Sequence, residues 1–190
     1  MNAQRPGAGA LLLDGAHHEN ALAWLYQHYP DRQPWPLLFG TPYEPIADAG
    51  PILLDAPVGS SVYEDWRSGR TLSDALWLES DTATEVLWRM LKNRVRIYTP
   101  DGEELWLRLA DARPLRRVWQ AGKRWPEGFW HGVKGVWLRD EDAIVCAWRI
   151  SNPHLDIAPH RQGIEAQLTL DWPLLEMLAE QDGTTKEDNA

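Results

Sequence analysis

Residues 9–29 read GALLLDGAHHENALAWLYQHY, and the change of character along this stretch decides the fold class. The apolar run Ala10–Leu13, closed by a turn signal, predicts a short strand covered on both faces. Asp14-Gly15 is a turn dipeptide, with Gly15 expected to supply a positive φ. From Asn20 onward Leu22, Leu25, Tyr26 and Tyr29 fall at i, i+3, i+4 and i+7, one face of a helix that Pro30 closes. A buried strand turning into an amphipathic helix is the repeating unit of α/β architectures.

The same unit returns twice: PILLDAP drives an apolar run into Asp55, and LWLRLADARP drives another into Asp111. Between the first helix and Asp55, WPLLFG predicts a short strand, TPYEPIADAGP a turn-rich loop and ILLDA a strand. Ser61 with Glu64 has the spacing of a capping box opening a helix over SVYEDWRSG, which Gly69 ends. DALWLES predicts a strand with Leu76 and Leu78 on one face and Trp77 on the other. Thr82 and Glu85 repeat the box ahead of ATEVLWRMLKNR, whose apolar face is Leu87, Met90 and Leu91.

Asp101-Gly102 sets a hairpin in RVRIYTPDGEELWLRLA, RPLRRVWQAG predicts a helix stopped by Gly122, and GVKGVWLRDEDAIVCAWRI predicts a second hairpin. The loop SNPHLDIAPHRQG, a strand AQLTL and a last helix from Asp171 through WPLLEMLAEQ complete the chain. The expected fold is α/β, a mixed β-sheet with flanking helices and a smaller C-terminal lobe. The aperiodic QAGKRWPEGFWHG marks the boundary, giving an α/β domain over 11–122, a C-terminal lobe over 123–181, and flexible polar ends at 1–10 and 182–190.

Composition narrows the function classes. A length of 190 residues suffices for a stable core without staples. The single cysteine, Cys146 in AIVCAW, cannot form an internal disulfide, and with no activating neighbour it reads as a small buried hydrophobe. A net charge of −9 argues against a nucleic-acid or anionic-membrane surface and favours proteins or small molecules as partners. The run AGALLLDGA is too short for a leader, and no later run approaches a membrane span, so a cytoplasmic protein is expected. Twelve tryptophans against two phenylalanines imply either an aromatic core or tryptophans kept for a protein-binding surface.

Asp14, Asp55 and Asp111, each at a strand end, could converge at one sheet edge as a metal or phosphoryl-transfer site. The local alternative is that they cap turns and helices, and the D-x-D spacing of a phosphotransfer site is missing from DGA, DAP and DAR. His17 and His18 beside Glu19, and His154, Asp156 and His160 in one loop, offer ligand chemistry without any H-E-x-x-H or paired C-x-x-C spacing. Ser60, Ser61 and Ser80 lack a G-x-S-x-G elbow, and GAGA near the start lacks the lysine of a phosphate loop. The residues alone assign no catalytic, metal or cofactor-binding group.

The order of motifs LLLDGA, LFGTPYE, AGPILLDAP, LWLES, MLKNRVRI and DGEELWLRLADARPL resembles the DUF4123 family over residues 11 to 122. That resemblance implies an adaptor or chaperone that binds a cognate type VI effector protein and helps load it onto the VgrG spike protein. It also implies that the motif positions Asp14, Gly15, Gly50, Pro51, Ser80, Asp111 and Arg113 are scaffold rather than catalytic, with no cofactor. The sequence departs from the family's Asp-Pro-Arg, since Ala112 stands in the middle and Pro114 follows the arginine.

An adaptor needs aromatic anchors on its surface. RRVWQAGKRWPEGFWHG places Trp119, Trp125 and Trp130 among Arg116, Arg117, Lys123 and Arg124, a basic segment on an acidic chain. Arg116, Arg117, Trp119, Trp125 and Trp130 are therefore the expected partner-binding residues, the alternative being that the tryptophans pack the C-terminal lobe onto the sheet. Two other readings remain at this point: an immunity protein that neutralises a toxin, and a hydrolase using the three aspartates.

Overall fold

A computed structural model describes residues 5–151 and 163–179. In chain order the elements are β1 (Gly9–Asp14), α1 (Ala21–His28), β2 (Pro34–Pro36), β3 (Pro51–Asp55), α2 (Ser61–Ser68), β4 (Leu76–Glu79) and α3 (Thr84–Lys92). There follow β5 (Arg96–Tyr98), β6 (Glu104–Trp106), α4 (Ala112–Gln120), β7 (Gly135–Asp140), β8 (Ala143–Arg149) and α5 (Trp172–Ala179). The expected end at 182–190 and the loop histidines His154 and His160 with Asp156 lie outside the described residues.

Six strands form one sheet in the order β2-β3-β1-β4-β7-β8, and β5 and β6 form a separate hairpin. The α/β class with flanking helices is as the alternation implies. Strands linked through a helix do point the same way, but another strand lies between each such pair: β3 separates β1 from β2, and β1 separates β3 from β4. Every ladder of the large sheet is consequently antiparallel. Among the described residues, parallel pairing is confined to the bridge Tyr98↔Thr169, which is what the predicted strand AQLTL contributes.

The consecutive leucines of β1 are all buried because both faces of the sheet are covered. Leu11 and Leu13 join Ile52, Leu54, Trp77 and Trp137 under α1 and α2, while Leu12 joins Leu53, Leu76, Leu78 and Val136 under α3, α4 and α5. Trp77 and Trp137 are cross-strand partners, and Trp66 of α2 stacks on Trp77 at 5.7 Å. Their indole N–H groups are all satisfied, Trp66 donating to Ala75 O, Trp77 to Gly7 O and Trp137 to Glu79 Oε2.

Among the described residues after 122, the strands join the large sheet. β7 joins the large sheet through Trp77↔Trp137, Leu78↔Val136 and Glu79↔Gly135, so the aperiodic stretch before it is a connection within one sheet. Gly9 and Ala10, placed by the sequence reading in the N-terminal end, belong to β1. Both capping boxes shift. Ser60, not Ser61, caps α2 through Oγ, and Glu64 turns to Arg67 instead. Thr82 lies outside α3, whose cap position is Ala83, and Glu85 pairs with Arg89. In α1 the buried face is Ala21 and Leu25 with Tyr29 behind them, and Tyr26 is 53% exposed.

Candidate functional site

The end of the sheet where β1 finishes gathers most of the motif residues. Asp14 keeps extended backbone, and its Oδ1 accepts from Ala16 N at 3.0 Å, capping a 3-10 turn over Gly15–His17. Gly15 donates its N–H to Gly50 O at 2.9 Å. Its φ is not positive. Glycine is needed for closeness instead, since a Cβ there would sit 2.1 Å from Asp48 O. Asp48 in turn accepts from Ala21 N and Leu22 N, so the 3-10 segment Glu44–Ala49 caps α1. Asn20, at the formal cap position, makes no side-chain cap bond.

Asp111 caps α4 and is 1% exposed. Its Oδ1 accepts from Arg113 N and Arg113 Nε at 3.0 Å each, and its Oδ2 accepts from Arg113 Nη2 at 2.8 Å. Ala112 in place of the family's middle proline does not disturb this clamp, since Asp111 and Arg113 still close on each other. Arg108 Nη2 bridges the two motif carboxylates, lying 3.0 Å from Asp14 Oδ2 and 3.4 Å from Asp111 Oδ2. His17 Nε2 completes the cluster 2.8 Å from Arg113 Nη2. Burial pushes the Asp111 carboxyl up, but the side-chain and backbone bonds from Arg113 and the charges of Arg113 and Arg108 outweigh it, and the pKa is held below its ordinary value.

One ligand atom each from Asp14, His17 and Asp111 lie within 4.8 Å of one another. The donor set does not suit a cation, because two guanidinium groups already occupy the carboxylate oxygens from close range. Two aspartates matched by two arginines form a charge-balanced clamp that ties β1, α4 and the loop before it together.

Asp55 lies elsewhere. Asp14 pairs with Pro51 and Asp55 with Ala10, so the two carboxylates sit at opposite ends of paired strands, about 13 Å apart along the ladder. Asp55 accepts from Thr84 Oγ1 at 3.2 Å and faces Arg32. The three-aspartate convergence does not form. Ser80 is also at that far end, donating to Gly132 O at 2.6 Å and accepting from Thr82 N at 3.0 Å. It fastens the turn ahead of β7 to the end of β4.

The tryptophans of the basic segment are half-buried or buried, while Lys123 and Arg124 are exposed. Trp130 is 2% exposed, with Phe129 at 5.0 Å and Trp125 at 5.4 Å, and Trp125 packs half-buried on the same core. Arg94 holds this segment, donating from Nε to Phe129 O and from Nη2 to Gly128 O. Trp119 is half-buried. Arg116 donates to Arg139 O, and Arg117 donates to Met177 O, joining α4 to α5. Among the expected partner-binding residues, Trp130 is therefore a core residue. Cys146 is half-buried in β8, and burial pushes its thiol up.

Beside the clamp runs a groove of about 680 Å³ that the sequence reading did not anticipate. The β5–β6 hairpin forms one wall and α4 with α5 the other, and Arg108, Asp111 and Arg113 lie along its margin. Leu105, Trp106 and Trp172 stand at its lips with 40%, 50% and 48% of their surface exposed. Trp106 is steadied from outside by Tyr43 in edge-to-face contact at 4.7 Å. The signal for it in the sequence was weak: ELWLRL alternates, but nothing local shows that its apolar side is left uncovered.

Among the described residues no helix is long and apolar enough to cross a membrane. The model of the DUF4123 family, described as a domain of unknown function, matches residues 11–125. No curated protein and no solved structure matches the chain. The chain belongs to the DUF4123 family.

Proposed function

We propose that this DUF4123 member is a non-catalytic, cytoplasmic adaptor that binds a cognate type VI secretion effector and assists its loading onto the VgrG spike. The observation that carries the reading is the pairing of a neutralised motif cluster with an exposed apolar groove. Asp14 and Asp111 are engaged by Arg108, Arg113 and backbone N–H groups, an arrangement that holds elements together and leaves those carboxylates little capacity for general acid–base work. Next to that rigid end, large apolar side chains face solvent at a concave surface, as a protein-binding site requires.

Co-expression with the effector encoded beside it tests this reading. The tagged protein is expected to retain the effector through purification and raise its soluble yield, while a purified mixture shows the effector's activity undiminished. Inhibition of that activity in the mixture would instead make the protein an immunity factor.

A further inference from the structure

We infer that the outer edge of β8 is a dimerisation edge: a second copy of this chain adds its own β8 antiparallel to it across a two-fold axis at Val145, joining the two large sheets into one. This edge shares no residue with the groove, and its pairing does not depend on the adaptor reading.

The two ends of the large sheet are built differently. At one end β2 reads Pro34-Trp35-Pro36. Leu37 N donates to Pro51 O at 2.8 Å, so the alternation of an antiparallel ladder turns Trp35 toward β3 and Pro34 and Pro36 outward. Both outward positions therefore lack an N–H, and a strand added there would find no donor on them. At the other end β8 runs over seven residues, Ala143–Arg149, and among the described residues it pairs with β7 alone. It holds no proline and no lysine, and its one charged side chain, Arg149, closes the strand and reaches back to Glu79 Oε2 at 3.0 Å. Apart from a bulge near its end, β8 lacks the devices by which soluble sheets refuse a further strand.

The hairpin settles which backbone groups are open. Asp140 and Ala143 close the two-residue turn Glu141–Asp142 as a hydrogen-bonded pair. Val145 then bonds to Leu138, and the N–H and C=O of Ile144 and Cys146 point away from β7. Ala147 is the extra residue of the bulge, and beyond it Ile150 N donates to Lys134 O at 3.0 Å, which turns Trp148 back toward Val136. Ile144 and Cys146 thus flank Val145 with their backbone groups unpaired. The side chains here are already placed: Ile144 and Cys146 pack on the cluster that holds Trp137, while Val145, Ala147 and Trp148 pack on the core of the opposite face.

Backbone donors and acceptors at this spacing are matched by another extended backbone, and the spacing is self-complementary. A two-fold at Val145 sets Ile144 opposite Cys146 of the second copy, and Cys146 opposite its Ile144, as two hydrogen-bonded pairs. No like charges meet. The strand is uncharged from Ala143 to Trp148, and in this register Glu141 of one copy comes level with Arg149 of the other. Two chains carrying −9 each can therefore approach along this edge without opposed charges of one sign. Because prolines close the β2 end, each chain offers one open end of its large sheet, and the pairing stops at two copies.

The purified full-length chain tests this pairing without any effector. Sedimentation across a concentration series is expected to show a reversible dimer, and hydrogen exchange at the Ile144 and Cys146 amides is expected to slow as concentration rises. Ile144→Pro removes an outward N–H and no bond to β7, so it is expected to give a monomer with an unchanged circular dichroism spectrum. Val145 would meet its own copy at a non-hydrogen-bonded position, where Cα atoms stand about 4.5 Å apart, within disulfide reach. Val145→Cys in a Cys146→Ser background is therefore expected to yield a disulfide-linked dimer on mild oxidation, whereas Asp142→Cys in that background should not. A monomer at every concentration, slow exchange at those amides whatever the concentration, a folded Ile144→Pro that still dimerises, or equal crosslinking from positions 142 and 145 would each overturn the inference. If Ile144→Pro loses its fold, exchange and the two crosslinking variants still decide.

Discussion

Two tryptophan-bearing regions pack on the same side of the sheet and meet water differently. In the 125–130 segment Trp130 is 2% exposed and Trp125 packs on the core, whereas Trp106 on the hairpin and Trp172 on α5 are about half exposed. Arg108 stands two residues after Trp106 as Arg124 stands just before Trp125, so residue type and charge do not separate these two tryptophans. What separates them is whether a covering element arrives: β7 and β8 bring Val136 and Trp148 into the core around Trp130, while the hairpin and α5 stand apart with a groove between them. A tryptophan therefore becomes core or anchor according to what the rest of the chain lays over it.

The sharpest way to break the comparison is to truncate one tryptophan from each region. Trp130→Ala is expected to cost about 3–5 kcal/mol, read from urea denaturation, because the void opens inside a close-packed aromatic cluster. A cost under about 1 kcal/mol would return Trp130 to the surface. Next in size is the clamp that borders the groove. Asp111→Ala is expected to lose about 2–3 kcal/mol, since a helix cap and charge-assisted bonds go together.

The same residue sets a pH dependence. The folded pKa of Asp111 lies below its ordinary value of 3.8, so its stabilisation is fully present above that value and is lost as pH falls through the lower, folded pKa. Denaturation midpoints should fall more steeply below about pH 4 in the natural protein than in Asp111→Asn. Asp14→Asn is a milder change, near 1 kcal/mol, because the side-chain oxygen still caps the turn while the charge facing Arg108 is lost. Smallest of all, Trp172→Ser should move stability by no more than about 0.5 kcal/mol, within the range of exposed substitutions. A large destabilisation there would show that Trp172 packs in the fold, leaving the groove without that lip.

Much of the fold was legible because it rests on local patterns. The apolar runs at 10–13, 51–54 and 76–78 are strands, the Asp101-Gly102 hairpin forms with Gly102 at φ 88°, and the Glu141–Asp142 turn follows β7 as read. Cap positions slipped by one or two residues because several hydroxyls stood in a row, and only the path of the chain selects among them. Gly15 was assigned its role for the wrong physical reason, since contact with Asp48 is a long-range fact. Arg94 and Arg108 were passed over because a basic residue in an alternating segment gives no sign of where its guanidinium will reach.

The sequence by itself determined the α/β class, the alternation of buried strands and amphipathic helices, and the family, since all three are written in periodicity and motif order along the chain. Tertiary structure alone decided that strands pointing the same way are interleaved into an antiparallel sheet and that Asp14 meets Asp111 while Asp55 lies at the other end. It also decided that Trp130 is buried while Trp106 and Trp172 frame an open groove. The reason is the range of the forces involved: periodicity records which side of an element is apolar, whereas burial and ion pairing depend on which distant element comes to lie against it.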